Sequence, residues 1–403
     1  MVSYRALFRI FGRIGWLSFG GPAAQIALIH AELVDRQRWL SERQFLRALS
    51  LCMLLPGPEA MQLATYAGWR LRGITGGLIA GGLFVLPGAV VIAALAAAYV
   101  AWGDLALVQA AFLGIKACVL VLVAQALLRV TRRALAGPAH WLIALAAFLA
   151  IAVWALPFPL VIMAAALAGA AFAMPASTTG TKTASHDASL RHGLWVLAAG
   201  VPLWLVPVGL AWLAGSEFLT ALGLFFARLA VMSFGGAYAV LTYMTQTVVQ
   251  DLGWLSTGQM IDALGLAETT PGPLILVTEF VAWLAGHAAG GPGMAALAAL
   301  VSLWVSFVPS FLFIFALAPS IDWLEGQPRI AAALEGVTAA VVGVIATLAL
   351  WFGMQVLFDG QVRHWGFLAL PEIDALDWRA ALIVPGAGLA LVGARLPLLV
   401  VLV

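Results

Sequence analysis

The chain has 403 residues, 64% of them hydrophobic and 9% charged, with a formal net charge of +2. Soluble domains carry about 25% charged residues, so a soluble protein is excluded, and no nucleic-acid partner is expected. Apolar runs of roughly 20 residues or more without period-two alternation exclude a transmembrane barrel and leave a polytopic α-helical membrane protein.

The apolar segments fall at 5–34, 44–72, 74–102, 105–130, 140–156, 159–174, 193–214, 218–250, 257–286, 293–318, 329–357 and 378–403. The first carries Arg5, Arg9 and Arg13 within it, which is not the pattern of a cleaved signal peptide. Cys52 and Cys118 both lie in apolar runs and read as packed, reduced side chains. No CxxC or His/Cys cluster predicts a metal, and no cofactor is expected. The Ser/Thr/Ala-rich stretch PASTTGTKTASHDASLR at 175–191 reads as an exposed linker.

The sequence repeats itself across that linker. Phe11-x-Arg13, Ser18-Phe19-Gly20-Gly21, Trp39-Leu40-Ser41 and Pro56-Gly57-Pro58 recur as Phe226-x-Arg228, Ser233-Phe234-Gly235-Gly236, Trp254-Leu255-Ser256 and Pro271-Gly272-Pro273, each 215 residues on. Four motifs in one register imply duplication. The expected division is an N-terminal repeat at 1–174, a linker and connecting transmembrane helix at 175–217, and a C-terminal repeat at 218–403.

Charge gives the halves opposite signs. Residues 1–191 hold 15 Lys/Arg against 6 Asp/Glu, and residues 192–403 hold 5 against 12. Basic loops stay cytoplasmic, so the halves are expected in inverted orientation, with 193–214 as the odd crossing. Arg36, Arg38 and Arg43 in the first copy give way to Asp251 with no arginine in the second. Folding the chain back at Gly20-Gly21-Pro22 and at Pro56-Gly57-Pro58 puts the first half's arginines on one side. The expected fold class is therefore an all-α membrane protein of two homologous, inverted halves with broken or re-entrant helices.

Proline inside an apolar segment removes a backbone donor and clashes with the preceding turn. A helix broken there leaves free amides and partial positive charge at a half-helix N-terminus. Such ends bind anions, and irregular backbone at membrane depth is tolerated where it lines a cavity. Two copies of two breaks therefore predict a small-anion site near the midplane.

The strings FGGPAAQIALIHAELVDRQRWLSE and MLLPGPEAMQLATYAGW, with FGGAYAVLTYMTQTVVQDLGWL and GLAETTPGPLILVTEFVAW in the second half, resemble the chromate ion transporter family in its long two-domain form. GGLIAGGLFVLPG, GIKACVLVLVAQALLRVTRRAL and TAAVVGVIATLALWF extend the resemblance over nearly the whole chain. It implies a multi-pass secondary transporter of the bacterial inner membrane that exports chromate, with sulfate as structural analogue and exchange partner. The chain departs from the family's pattern at Met61 and Glu279, where glutamine is usual, and at Thr242, where proline is common.

The candidate substrate contacts are Arg13, Ser18, Gly20, Gly21, Pro56, Gly57 and Pro58, with Arg228, Ser233, Gly235, Gly236, Thr269, Thr270, Pro271, Gly272 and Pro273 in the second half. A guanidinium at Arg13 or Arg228 suits a tetrahedral oxyanion, or else snorkels to the interface. Ser18, Ser233, Thr269 and Thr270 donate to an oxyanion, or to their own helix. Lys116 within its apolar span balances a buried acid or attracts the anion. Glu59, Glu268 and Glu279 flank the Pro-Gly-Pro breaks. A carboxylate there repels an anion when ionised, so its protonation is a means of coupling, although Glu59 also suits the positive end of its own helix. Gln25, Gln62, Tyr66 and Tyr238 are weaker candidates. The six histidines, His30, His140, His186, His192, His287 and His364, show no metal spacing.

A secondary oxyanion carrier leads. An anion channel or an uptake carrier of the sulfate type would share the same site. An intramembrane enzyme would need a nucleophile and base or a metal set, and neither pattern occurs. The expected partners are the lipid bilayer and small oxyanions, with a homodimer left open.

Overall fold

The computed structural model describes residues 2–103, 105–154, 156–172, 186–234, 237–320, 328–358, 362–365, 368–371 and 376–394. Helices α1 (Tyr4–Leu17) and α2 (Gly21–His30) flank the first break, and α3 (Glu42–Leu54) and α4 (Glu59–Trp102) flank the second. There follow α5 (Ala106–Ala134), α6 (Pro138–Ala152), α7 (Phe158–Phe172) and α8 (His186–Leu213). Helices α9 (Glu217–Met232), α10 (Ala237–Gln246), α11 (Thr257–Thr269) and α12 (Val277–Leu317) repeat the first four, before α13 (Pro328–Phe358) and α14 (Trp378–Gly388). One short departure from helix is an antiparallel pair, β1 (Val362–Trp365) with β2 (Leu368–Pro371), Val362 facing Pro371. It lies where the apolar run of α13 has ended, and its backbone groups satisfy each other across the ladder.

Among the described residues, five helical stretches are long and apolar enough to cross a membrane: Glu59–Trp102, Gly114–Arg132, Arg191–Leu213, Leu274–Leu317 and Arg329–Phe358. The first and fourth are not straight rods. At 44 residues each a rod would reach about 66 Å, twice the ~30 Å hydrocarbon core. Both reverse at a glycine of positive φ, Gly73 (65°) and Gly291 (75°), a region that penalises any Cβ. The reversal follows from packing. A methyl on Gly68 would collide with the carbonyl of Gly76, eight residues on, and one on Gly286 would sit 2.7 Å from Met294 O. In a continuous helix such residues stand about 12 Å apart along the axis. Each stretch is therefore a hairpin of a short half-helix against a long arm.

The duplication extends to individual hydrogen bonds. Ser41 and Gln44 form a capping box at the start of α3, with Gln44 N donating to Ser41 Oγ (3.3 Å) and Ser41 N to Gln44 Oε1 (3.1 Å). Ser256 and Gln259 do the same before α11, at 3.2 and 2.9 Å. Helices α2 and α10 each run on into a π-type turn, Ala31–Arg36 and Thr247–Asp251. Trp39 N donates to Leu33 O (2.8 Å) just as Trp254 N donates to Val248 O (2.9 Å). Phe11 and Phe226, one repeat apart, are both fully buried. After Pro-Gly-Pro the register changes. A three-residue 3-10 turn, Leu274–Leu276, precedes α12, whereas α4 starts at once with Glu59. The offset thereby becomes 218 (Gly73 to Gly291), and Glu279 takes the position of Met61.

The chain divides into two compact units, each drawing on both halves. The first comprises 1–100, 174–240 and 270–328 and holds all four breaks. Within it α12 packs against α8 and α9, and Trp204 Nε1 on α8 donates to Val305 O (2.8 Å) while Trp304 Nε1 on α12 donates to Leu203 O (3.1 Å). The second comprises 101–173, 241–269 and 329–403. There α5 packs on α11 and α14, and Gly169 and Gly336 bring α7 and α13 into backbone contact.

Candidate functional site: crossed helix breaks

The breaks of the first unit pair crosswise. Gly57 N, in the first Pro-Gly-Pro, donates to Ser233 O of the second half (3.2 Å). Gly272 N, in the second, donates to Ser18 O (3.0 Å) and to Ser18 Oγ (3.0 Å). The local reasons differ between partners. α1 and α9 end at Leu17 and Met232, where the next serine turns its hydroxyl back to the helix: Ser18 Oγ donates to Gly15 O and Ser233 Oγ to Ala230 O, each at 2.7 Å. Proline ends α3 and α11, and the glycine between the prolines adopts φ of 122° at Gly57 and 94° at Gly272. A serine carbonyl freed by one break thus meets a glycine amide freed by another. Four buried helix ends thus satisfy one another through these groups.

The long arms complete the crossing. Gly88 follows Pro87 on α4 and lies against the second break, where a methyl would collide with Pro271 O. Ser310 follows Pro309 on α12 and lies against the first, its hydroxyl occupying the space a methyl on Gly57 would need. Gln62, fully buried, donates through Nε2 to Pro56 O (2.6 Å) and leaves Oε1 without a hydrogen-bond partner among the described residues. Gln25, also buried, donates to both Ser18 O (3.1 Å) and Gly272 O (2.7 Å).

The structure therefore gathers Ser18, Ser233, Gly57, Gly272 and their flanking prolines, and promotes Gln25 and Gln62 from weak candidates to members of the cluster. Gly20 and Gly21 open α2 with φ of 86° and 77°; Gly235 and Gly236 lie outside the described residues, as does the side chain of Tyr238. Thr269 Oγ1 turns back to Leu266 O (3.0 Å) and Thr270 is buried beside the second break. Arg13 and Arg228 are not drawn in. Each is exposed and makes no hydrogen bond or ion pair with a described residue. Tyr66 is buried against Trp69.

The charged candidates separate by unit. In the first, Glu59 is half-buried in the first turn of α4, and Glu279, 2% exposed, starts α12 with Oε2 unpartnered among the described residues. In the second, Glu268 is buried near the end of α11, and Lys116 has the acid that its burial implied: Nζ stands 3.1 Å from Asp262 Oδ1. Asp262 was not among the expected residues. A signal for it exists, because it occupies the repeat position of Arg47, so the same helix carries opposite charge in the two halves. Of the histidines, His30 bridges Glu42 (2.8 Å) and Asp35 (3.5 Å) between α2 and α3, and His140 lies 4.0 Å from Glu335. His186 and His364 have side chains outside the described residues. No group of three or more potential metal ligands occurs among the described residues.

Comparison with known proteins gives the chain its family. Residues 5–170 and 220–403 match the family described as chromate transporter. A chromate transport protein of Pseudomonas aeruginosa is 34% identical over 352 residues, 85% of this chain and 80% of that protein. A probable chromate transport protein of Synechococcus elongatus is 31% identical over 385 residues, covering 91% and 89%. A chromate transport protein of Cupriavidus metallidurans is 30% identical over 358 residues, covering 88% and 84%. No solved structure matches.

Proposed function

Because the chain belongs to the chromate transporter family, and so is a multi-pass membrane transporter rather than an enzyme, we propose that it moves chromate out across the bacterial inner membrane as a secondary carrier. In this reading the oxyanion is held at half-helix ends formed by the paired Ser-Phe-Gly-Gly and Pro-Gly-Pro breaks, and its movement is coupled to sulfate exchange or to protons. The observation that carries it is the crossed pairing of Gly57 with Ser233 and Gly272 with Ser18. It brings irregular backbone from both halves together at two buried crossings, next to the first turns of α4 and α12. Preorganised amides and helix dipoles stabilise an anion there without a formal counter-charge. The halves would lie inverted in the membrane, as their opposite charge balance requires.

The test is flux into sealed liposomes containing the purified full chain. Labelled chromate uptake is followed with internal sulfate present or absent, and with or without an imposed pH gradient. Uptake that requires internal sulfate or follows the pH gradient is the expected result. Uptake indifferent to both, driven by the chromate gradient alone, would replace the carrier with an anion channel.

A further inference from the structure

The two Pro-Gly-Pro breaks share a backbone but not an environment. At the second, every polar group of Gly272 is used: its amide by Ser18 O and Oγ, its carbonyl by Gln25 Nε2. Its remaining side is closed by Leu276 Cδ1, 2.8 Å from where a methyl would stand, and by Gly88. At the first, the amide of Gly57 is used, but no described donor reaches its carbonyl. The repeat position of Gln25 is Val240, which cannot donate. Where Gly88 and Leu276 seal the second break, the first has the hydroxyl of Ser310, 1% exposed, and the amide of Gln62, whose Oε1 is buried and unpartnered.

We propose that the first break alone seats the substrate, that Gln62 and Ser310 determine which oxyanion it takes, and that the second break is a lock. This rests on the oxyanion reading above and narrows it. The seat offers donors and acceptors together. The Ser310 hydroxyl and the first-turn amides of α4 donate; the Gly57 carbonyl and Gln62 Oε1 only accept. Two bare acceptors repel a fully ionised oxyanion, and leaving them unpaired in a buried site costs the desolvation of each. An oxyanion that carries a hydroxyl satisfies both kinds of group. Chromate takes up a proton near neutrality, whereas sulfate does so only in strong acid. The seat therefore selects hydrogen chromate, and so separates two ions of the same shape by their protonation rather than by size.

Equilibrium binding of radiolabelled chromate and sulfate to the full chain in lipid nanodiscs, on the acid and alkaline sides of neutrality, tests this. Protein groups that can change charge on the elements meeting there are Glu59, Tyr66 and Tyr99 on α4, Glu42 and Cys52 on α3, Glu279 and His287 on α12, and Glu217 on α9; Arg43, Arg47, Arg70, Arg72 and Arg228 hold fixed charge. Sulfate, which keeps its charge over this range, reports their titration; the difference between the two anions reports the ligand's own proton. The expected result is chromate affinity that rises severalfold on the acid side while sulfate affinity does not. Gln62→Met and Ser310→Ala should each weaken chromate binding about tenfold, the worth of one buried hydrogen bond, and Gln62→Met should flatten the pH difference. Gln25→Met should lower the melting temperature and weaken chromate binding less than Gln62→Met does. An identical pH response for both anions, or Gln25→Met weakening binding as much as Gln62→Met, overturns the inference. Failure of the wild-type chain to bind either anion would instead remove the oxyanion reading on which it rests.

Discussion

The hairpins that start at Glu59 and at Val277 are one object made twice and finished differently. Both leave a Pro-Gly-Pro break, both double back at a left-handed glycine, and both press small residues of the half-helix onto the arm. Yet the first turn is flanked by Arg70 and Arg72, the second by Ala288 and Gly290. Arg72 Nε donates to Val2 O, and its guanidinium lies 4.8 Å over the ring of Tyr4. The contrast teaches which residues were free to diverge. The Pro-Gly-Pro triplets and the glycine at each turn are the same in both copies, whereas Pro22 of the first break gives way to Ala237. Charges at the ends of arms changed sign or vanished.

The most severe way to break the comparison is to fill the hairpins. Gly68→Val drives a side chain into the Gly76 carbonyl, and Gly286→Val drives one into Met294 O and Ala295 Cα. Backbone cannot step aside, so each should cost about 3 kcal/mol or more, seen as loss of monodisperse protein in size-exclusion chromatography. A tolerated Gly286→Val would show that the second hairpin is not held as the first is.

Next in size are the charges of α5 and α11. Removing one member of the Lys116–Asp262 pair takes that counter-charge from the other. Fully buried pairs lose about 3–5 kcal/mol this way; with Lys116 26% and Asp262 9% exposed, the expected loss lies at or below the lower end. Lys116→Met with Asp262→Leu should restore most of the thermal stability that either single variant loses. If Lys116→Met alone melts like the wild type, the pair is not what holds α5 to α11.

Smaller again, and equal in the two halves, are the capping boxes. Ser41→Ala and Ser256→Ala should each cost about 1 kcal/mol, and unequal melting shifts would mean that one half controls unfolding. Arg72→Gly, which gives the first turn the residue of the second, removes the cation–π contact with Tyr4, worth about 0.5–1 kcal/mol, together with the hydrogen bond to Val2 O. Its readout is topology, by cysteine accessibility from either side, because the arginines that orient the first half would be reduced by one.

Much of this was legible in the chain itself. The apolar segments end at 72 and 286 and resume at 74 and 293, and the structure reverses at Gly73 and Gly291. The 215-residue register, read from four motifs, is also the register of the caps, the π-type turns and the serine hydroxyl bonds. What could not be read was which break meets which. Periodicity and turn chemistry are local, whereas Gly272 and Ser18 lie 254 positions apart. For the same reason Lys116 left open whether it meets a buried acid or the anion, and did not name Asp262. The three-residue insertion at Leu274–Leu276 was hidden in an apolar run, and with it the equivalence of Met61 and Glu279.

The half-helix between the first break and its turn, 59–71, has a further consequence. Thirteen residues span about 20 Å, and the charge of Arg70 and Arg72 beside Gly73 favours its far end at the aqueous edge. The break then lies about two-thirds of the way through a ~30 Å core. An ion that reaches it from that edge has already fallen through most of the transmembrane voltage. At about 2.3 kcal/mol per charge per 100 mV, occupancy by a singly charged oxyanion would shift by about 1.5 kcal/mol, more than tenfold. If the first break seats the oxyanion as proposed, the length of one short helix would make its loading depend on the membrane potential before any second ion is considered.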